Sequence, residues 1–179
     1  SGLLPSAEGH VSLFDSTLPP DLRKRSRDQL RLIQFVYQMA DTALNPRHTI
    51  ERIVGRPLEF YHGMKGEKRK RRLIELLEMV ELPKEFISRY PEELSGGQKQ
   101  RATLARGLIR NAPILILDDC FSAVDTETEE HILSELKRLR KNQTTLLVSH
   151  RVSTTRHADR IVVMDNGNII EQGTHETLL

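Results

Sequence analysis

The residues richest in chemistry are Leu94-Ser95-Gly96-Gly97-Gln98, where a loop turns into a helix striped with Ala102, Leu104, Ala105, Leu108 and Ile109. Ser95 and Gln98, three apart, have the spacing of a capping box. A cap alone does not account for two glycines in the first turn, each costing about 1 kcal/mol of helix propensity against alanine. Bare backbone lets a ligand approach the main chain, and the first N–H groups of a helix lack internal partners and lie at the positive end of its dipole. Ser95, Gly96, Gly97 and Gln98 therefore form a candidate cradle for a phosphate. The second reactive group is Asp118-Asp119, ending the aliphatic run Ile114-Leu115-Ile116-Leu117. Two adjacent carboxylates repel one another at a strand tip unless a cation neutralises them, so Asp118 is a candidate Mg²⁺ ligand, directly or through water. Gln38 follows the apolar run from Leu32 to Val36, and its amide is placed to touch a metal ion or an attacking water.

These groups need elements to hold them. The run Ile114 to Leu117, opened by Pro113, reads as a strand buried on both faces of a parallel sheet, with its acids at the carboxyl end where ligands bind in open α/β sheets. Leu32 to Val36 and Thr144 to Ser149 read as two further buried strands, the latter delivering His150. Before them, residues 10–14 form a short strand and residues 21–29 a charged, solvated helix or loop, with turns at Gly2 to Pro5 and at Glu8-Gly9. Pro46 and Pro57 break the chain into short helical pieces. Residues 68–82 form an amphipathic helix with Leu73, Leu76, Leu77 and Val80 on one face; its basic front, Lys68 to Arg72, is a solvated helix face in the plainer reading and a contact for acidic lipid or nucleic acid in the other. Pro83 ends it, and residues 85–90 form a short helix before Pro91. Thr126 with Glu129 is a second capping box, opening a helix that carries Ile132, Leu133, Leu136 and Leu139. Asp165-Asn166-Gly167 between two apolar runs signals a type I′ hairpin.

With these residues in place, the chain resembles the ATP-binding cassette (ABC) ATPases of membrane transporters along essentially its whole length. Leu94 to Gln98 resembles the family's signature sequence, Ile114 to Asp119 its Walker B strand, Ser122-Ala123-Val124-Asp125 its D-loop, Ser149-His150-Arg151 its switch-histidine loop and Val36-Tyr37-Gln38 its Q-loop. The resemblance implies an α/β fold, a P-loop NTPase core of ABC type with an incomplete parallel sheet and an inserted α-helical subdomain. Residues 1–42 would start the ATPase core, residues 43–110 form the helical subdomain with the signature, and residues 111–179 complete the core. It implies catalytic roles for Asp119, His150 and Gln38, with His150 reaching the γ-phosphate, a Mg²⁺ ion bound with ATP at Asp118 and Gln38, D-loop roles for Ser122 and Asp125, and a signature that serves an ATP held by a second nucleotide-binding domain, in a homo- or heterodimer. Asp119 stands where most active members carry glutamate; the shorter side chain withdraws the carboxylate by about one C–C bond, ~1.5 Å, and a shift of about 1 Å can cost on the order of a hundredfold in rate.

No glycine begins a G-x-x-x-x-G-K-[ST] run, so the Walker A loop that would hold the β- and γ-phosphates is not among these 179 residues. The chain is thus expected to be truncated at its N-terminus, its opening resembling the segment that follows the family's phosphate-loop helix and its Walker A region missing, and alone to lack ATPase activity. The part before the signature resembles peptide importers and the part from Leu117 to His175 resembles exporters of the degenerate-site type, which leaves a natural mosaic and an engineered chimera both open. A transmembrane domain is the expected partner and the cytoplasmic face of a membrane the expected location, with attachment through partners because no apolar run approaches the ~18 residues of a span.

Composition narrows the rest. Lys and Arg number 27 against 25 acids, a net charge of +2, and aromatics make up 4% without tryptophan. Nucleic acid is therefore not the expected partner, since neither strong positive charge nor a stacking platform is present. The single cysteine, Cys120, excludes an internal disulfide and fits a reducing compartment as a small buried side chain. Two other readings compete: a soluble ABC ATPase acting on nucleic acid or ribosomes, and an inactive folding fragment.

Overall fold

The structure is a computed structural model that describes residues 8–14 and 16–179. The turn expected at Gly2 to Pro5 lies outside the described residues. A small antiparallel pair, β1 (Val11–Leu13) and β2 (Ser16–Leu18), comes first. After a 3-10 turn, α1 (Arg27–Leu32) is opened by Ser26, whose hydroxyl accepts from Gln29 N while the Gln29 side chain accepts from Ser26 N. The helix takes Leu32, so the strand that follows, β3 (Ile33–Val36), begins one residue later than the apolar run suggests.

Helices fill the centre of the chain. A single turn, α2 (Ala40–Ala43), precedes α3 (Ile50–His62) and α4 (Gly66–Met79). Pro57 does not break α3, contrary to its sequence reading. Proline removes one hydrogen bond and costs about 3 kcal/mol. Burial of Ile50, Ile53, Val54 and Leu58 along the same helix outweighs that loss, at about 1.5–3 kcal/mol for each fully buried side chain. Leu73, Leu76 and Leu77 bury the expected face of α4. The segment after Pro83 is a 3-10 helix, Lys84–Ser88. Then come α5 (Gly96–Leu108), β4 (Ile114–Asp118), α6 (Thr126–Leu139), β5 (Thr144–Val148), α7 (Val152–Thr155) and the hairpin β6 (Ile161–Asp165) with β7 (Asn168–Gly173). Positive φ at both Asn166 and Gly167 is the backbone a type I′ turn requires.

Among the described residues, β3, β4 and β5 form a three-stranded parallel sheet in the order β3-β4-β5. The sheet is less buried than its aliphatic runs suggest. Leu115 and Leu117 are buried, while Ile114 and Ile116 on the other face of β4 are only half-buried. On β5, Leu146 is 53% and Val148 42% exposed. The continuous core lies on the Leu115 and Leu117 face, where α3, α4, α5 and α6 pack. Gly107 of α5 makes this packing close, since a Cβ there would come within 2.5 Å of a Val36 methyl. The cap of α6 is Asp125, which accepts from Thr128 N at 2.9 Å, rather than Thr126. Both residue types cap well, and an aspartate one place earlier takes the position.

Candidate nucleotide site

The capping box at the start of α5 is present in full. The Ser95 hydroxyl accepts from Gln98 N at 3.3 Å and the Gln98 side chain accepts from Ser95 N at 2.9 Å. The two glycines answer to different constraints. A Cβ on Gly97 would stand 2.4 Å from the Ala123 carbonyl oxygen, so the helix start rests directly on the loop after β4. A Cβ on Gly96 would meet only the Ala123 methyl, at an ordinary 3.8 Å. Gly97 is thus required by the chain's own packing, which the sequence did not reveal, and only Gly96 is left bare for no internal reason.

The acid pair lies at the carboxyl end of β4, as expected. Parallel pairing of Asp118 with Val148 brings the end of β5 beside it, two residues before the exposed His150. Asp119 leaves the strand with φ +45° and its N–H donates to Val148 O at 2.9 Å. A left-handed backbone at a non-glycine residue costs about 1–2 kcal/mol, and it turns Asp119 toward β3. There the Gln38 amide donates to Asp119 Oδ2 at 2.8 Å. No described residue donates to the Asp118 carboxylate. The donor set fits Mg²⁺, a hard cation that prefers one or two carboxylates completed by waters and substrate phosphates. No group of three or more His, Cys, Asp or Glu capable of holding a metal occurs among the described residues. Cys120, next along, is buried, and that burial pushes its thiol up to about 12.

The loop Ser122 to Asp125 is held from two sides. From α5, the buried Gln100 donates to Ser122 Oγ at 2.8 Å and accepts from Ala123 N at 2.9 Å. From the other side, Arg151 donates to Ser122 O at 2.7 Å and Val124 O at 2.9 Å. Its third bond, 2.9 Å to Glu129 Oε2, anchors it to α6, and the Thr154 hydroxyl donates to the other Glu129 oxygen. Glu129 is 1% exposed; its place is this ion pair, not the box with Thr126. Asp125 is held below the usual carboxylate range, chiefly by the Thr128 N–H. Gln100, Arg151 and Glu129 are the site residues whose functions sequence reasoning missed. The only available signal was a second glutamine two residues past the signature.

The acid pair, Gln38, the end of β5 and the doubly held loop are thus joined around one sheet edge, and the glycine-bare start of α5 rests on that loop. The family profile described as ABC transporter matches residues 1–122. This chain belongs to the ABC transporter family. Among curated ABC proteins, the oligopeptide transport ATP-binding protein OppF of Lactococcus lactis is 35% identical over 162 residues, 87% of this chain and 51% of OppF. The ATP-dependent lipid A-core flippase of Idiomarina loihiensis is 59% identical over 86 residues, 48% of this chain and 15% of the flippase. The chain therefore spans about half the length of one relative and a small part of the other. The solved dimeric structure of MJ0796, a bacterial ABC transporter cassette, superimposes with a TM-score of 0.82 at 32% identity, covering 97% of this chain and 76% of that one. The fold is accordingly the α/β fold of ABC ATPase cassettes.

Proposed function

We propose that this domain forms one lip of an ATP site closed by a second ABC nucleotide-binding domain and couples that closure to a transmembrane domain. The observation that carries the reading is the unbonded Asp118 carboxylate beside the Gln38–Asp119 contact, at the tip of the strand that leads into the loop beneath the signature turn. At the signature, the Ser95 hydroxyl and the Gly96 and Gly97 N–H groups, with Gln98 holding the turn, would bind the γ-phosphate of an ATP held by the partner, adding the helix dipole to a desolvated contact. At the chain's own acid pair, Asp118 and the Gln38 amide oxygen would hold Mg²⁺. When bound, that ion neutralises phosphate charge. Asp119 orients the attacking water from a position ~1.5 Å short of glutamate's reach, and His150 meets the γ-phosphate. Ser122 and Asp125 lie where the second domain would approach.

No stretch of these residues supplies a Walker A loop, so the domain alone is expected to bind Mg²⁺-ATP weakly and not to hydrolyse it. A cavity of about 480 Å³ beside Gln38, lined by Tyr37, Met39, Tyr61, Arg106 and Arg110, supports a membrane-domain partner on that side. No described helix is long and apolar enough to cross a membrane, which fits a peripheral place on the cytoplasmic face. Matches to both a peptide-transport ATP-binding protein and a flippase fit a chain combining importer-like and exporter-like parts. Calorimetry with Mg²⁺-ATP, on the domain alone and mixed with a complete cassette blocked in hydrolysis, tests the reading. Heat in the mixture beyond that of the cassette alone, with the excess lost on Ser95→Arg, is the expected result. Micromolar binding to the domain alone would overturn it.

A further inference from the structure

We propose that Gln100 is a positioning residue that makes the signature turn and the loop Ser122 to Asp125 one mechanical body, to which Arg151 ties the His150 loop. The inference rests on the function proposed above and says how the two ends of the chain's site stay in step. Gln100 is 7% exposed, so both ends of its amide are out of water and must find partners within the protein. The partners are unusual for a core glutamine. They are the hydroxyl of Ser122 and the N–H of Ala123, on two exposed residues of a short loop. The Gly97 backbone lies against the carbonyl of the same Ala123, closely enough that one added methyl group would overlap it. Two hydrogen bonds and one close backbone contact therefore join α5 to this loop within two turns of Ser95.

The opposite side of the loop is fixed as firmly. Arg151, one residue past His150, occupies the carbonyls of Ser122 and Val124, and its guanidinium is held by the buried Glu129. The loop's Ser122 hydroxyl, Ala123 N–H and two carbonyls are thus all engaged by side chains from the two elements that present Ser95 and His150. A force on the signature turn, as from a phosphate docking on it, has no soft joint to relax into before it reaches the His150 loop.

Amide hydrogen exchange on the whole chain tests the coupling, using Gln100→Leu, which keeps the shape and removes both bonds, and Gln100→Glu, which keeps two acceptors for the Ala123 N–H and a rotated Ser122 hydroxyl. The leucine variant is expected to speed exchange about fivefold or more at Ala123 and, in step, at Gln98, whose N–H Gln100 does not touch, while Leu115 and Leu117 in β4 keep wild-type rates. The glutamate variant restores both. An unchanged Gln98 rate in the leucine variant, or unchanged Ala123, overturns the inference. ATP-dependent association with a complete cassette is the second arm: the leucine variant should weaken it about tenfold, and equal association for both variants and wild type also overturns the inference. Failure of the wild type itself to associate would strike the proposed function, and the exchange comparison would still decide the coupling.

Discussion

The Gln38 amide and the Asp119 carboxylate, 81 residues apart in sequence, meet at 2.8 Å across the ends of two adjacent parallel strands. The contact depends on Asp119 leaving β4 in a left-handed conformation, which aims its side chain toward β3. Backbone strain at that residue is thus exchanged for a fixed carboxylate. Asp119→Gly should raise stability by up to about 1 kcal/mol, because glycine takes positive φ without the side-chain penalty. Urea denaturation checks the gain.

Gly96→Ala and Gly97→Ala should differ in sign. Alanine at Gly96 meets one methyl at ordinary contact and gains helix propensity, so stability should hold or rise by up to about 1 kcal/mol. Alanine at Gly97 forces the start of α5 off the Ala123 carbonyl and should cost about 2 kcal/mol or more, in the range of overpacked sites. Thermal denaturation of the two variants, side by side, separates packing from ligand access. Loss of nucleotide-dependent assembly in the stable Gly96→Ala variant would mark the glycine that serves the phosphate.

The Arg151–Glu129 pair should be asymmetric to substitution. Arg151→Ala leaves a carboxylate that is 1% exposed without its cation and should cost about 3–5 kcal/mol. Glu129→Gln keeps an acceptor for Thr154 and leaves behind an arginine that reaches water, so its cost should be nearer 1–2 kcal/mol. Chemical denaturation of both variants gives the comparison, and equal losses would overturn the asymmetry.

Asp125 gives a pH dependence of defined sign. Its folded value lies below the ordinary aspartate value of about 3.9, chiefly because the Thr128 N–H bonds to the carboxylate. Its contribution is therefore present above about pH 4 and lost as pH falls through the folded value. Asp125→Asn keeps an uncharged acceptor at the same cap. Wild type should be the more stable above pH 5, with the difference closing toward pH 2 in a series of urea titrations.

Cys120 should report opening of the core. Burial raises its thiol to about 12 and covers it, so iodoacetamide at pH 8 should not label the native chain. Labelling should appear only with unfolding and follow its rate, read by mass spectrometry.

What could be read from the sequence was local. The Ser95–Gln98 box and the Asn166-Gly167 turn depend on neighbours three or fewer residues away, and both stand in the structure as their spacing indicates. Contacts set by tertiary packing left no such trace. Gln100 to Ser122 and Gly97 against Ala123 join residues more than twenty apart, and nothing in a glutamine or a glycine names its distant partner. Pro57 reads as a helix breaker until the buried face around it is known. Asp125 and Thr126 are both good caps, so the sequence gives the helix start only to within one residue. The runs that form β4 and β5 both read as buried strands, but exposure depends on which neighbours cover them.

Among the described residues β5 has a neighbour on one side only, and its five residues Thr144-Thr145-Leu146-Leu147-Val148 carry no charge. Such a strand is a template for any extended chain that meets it. At millimolar concentration this margin is where clumping would begin, and one lysine at Leu146 would keep the solution clear for longer.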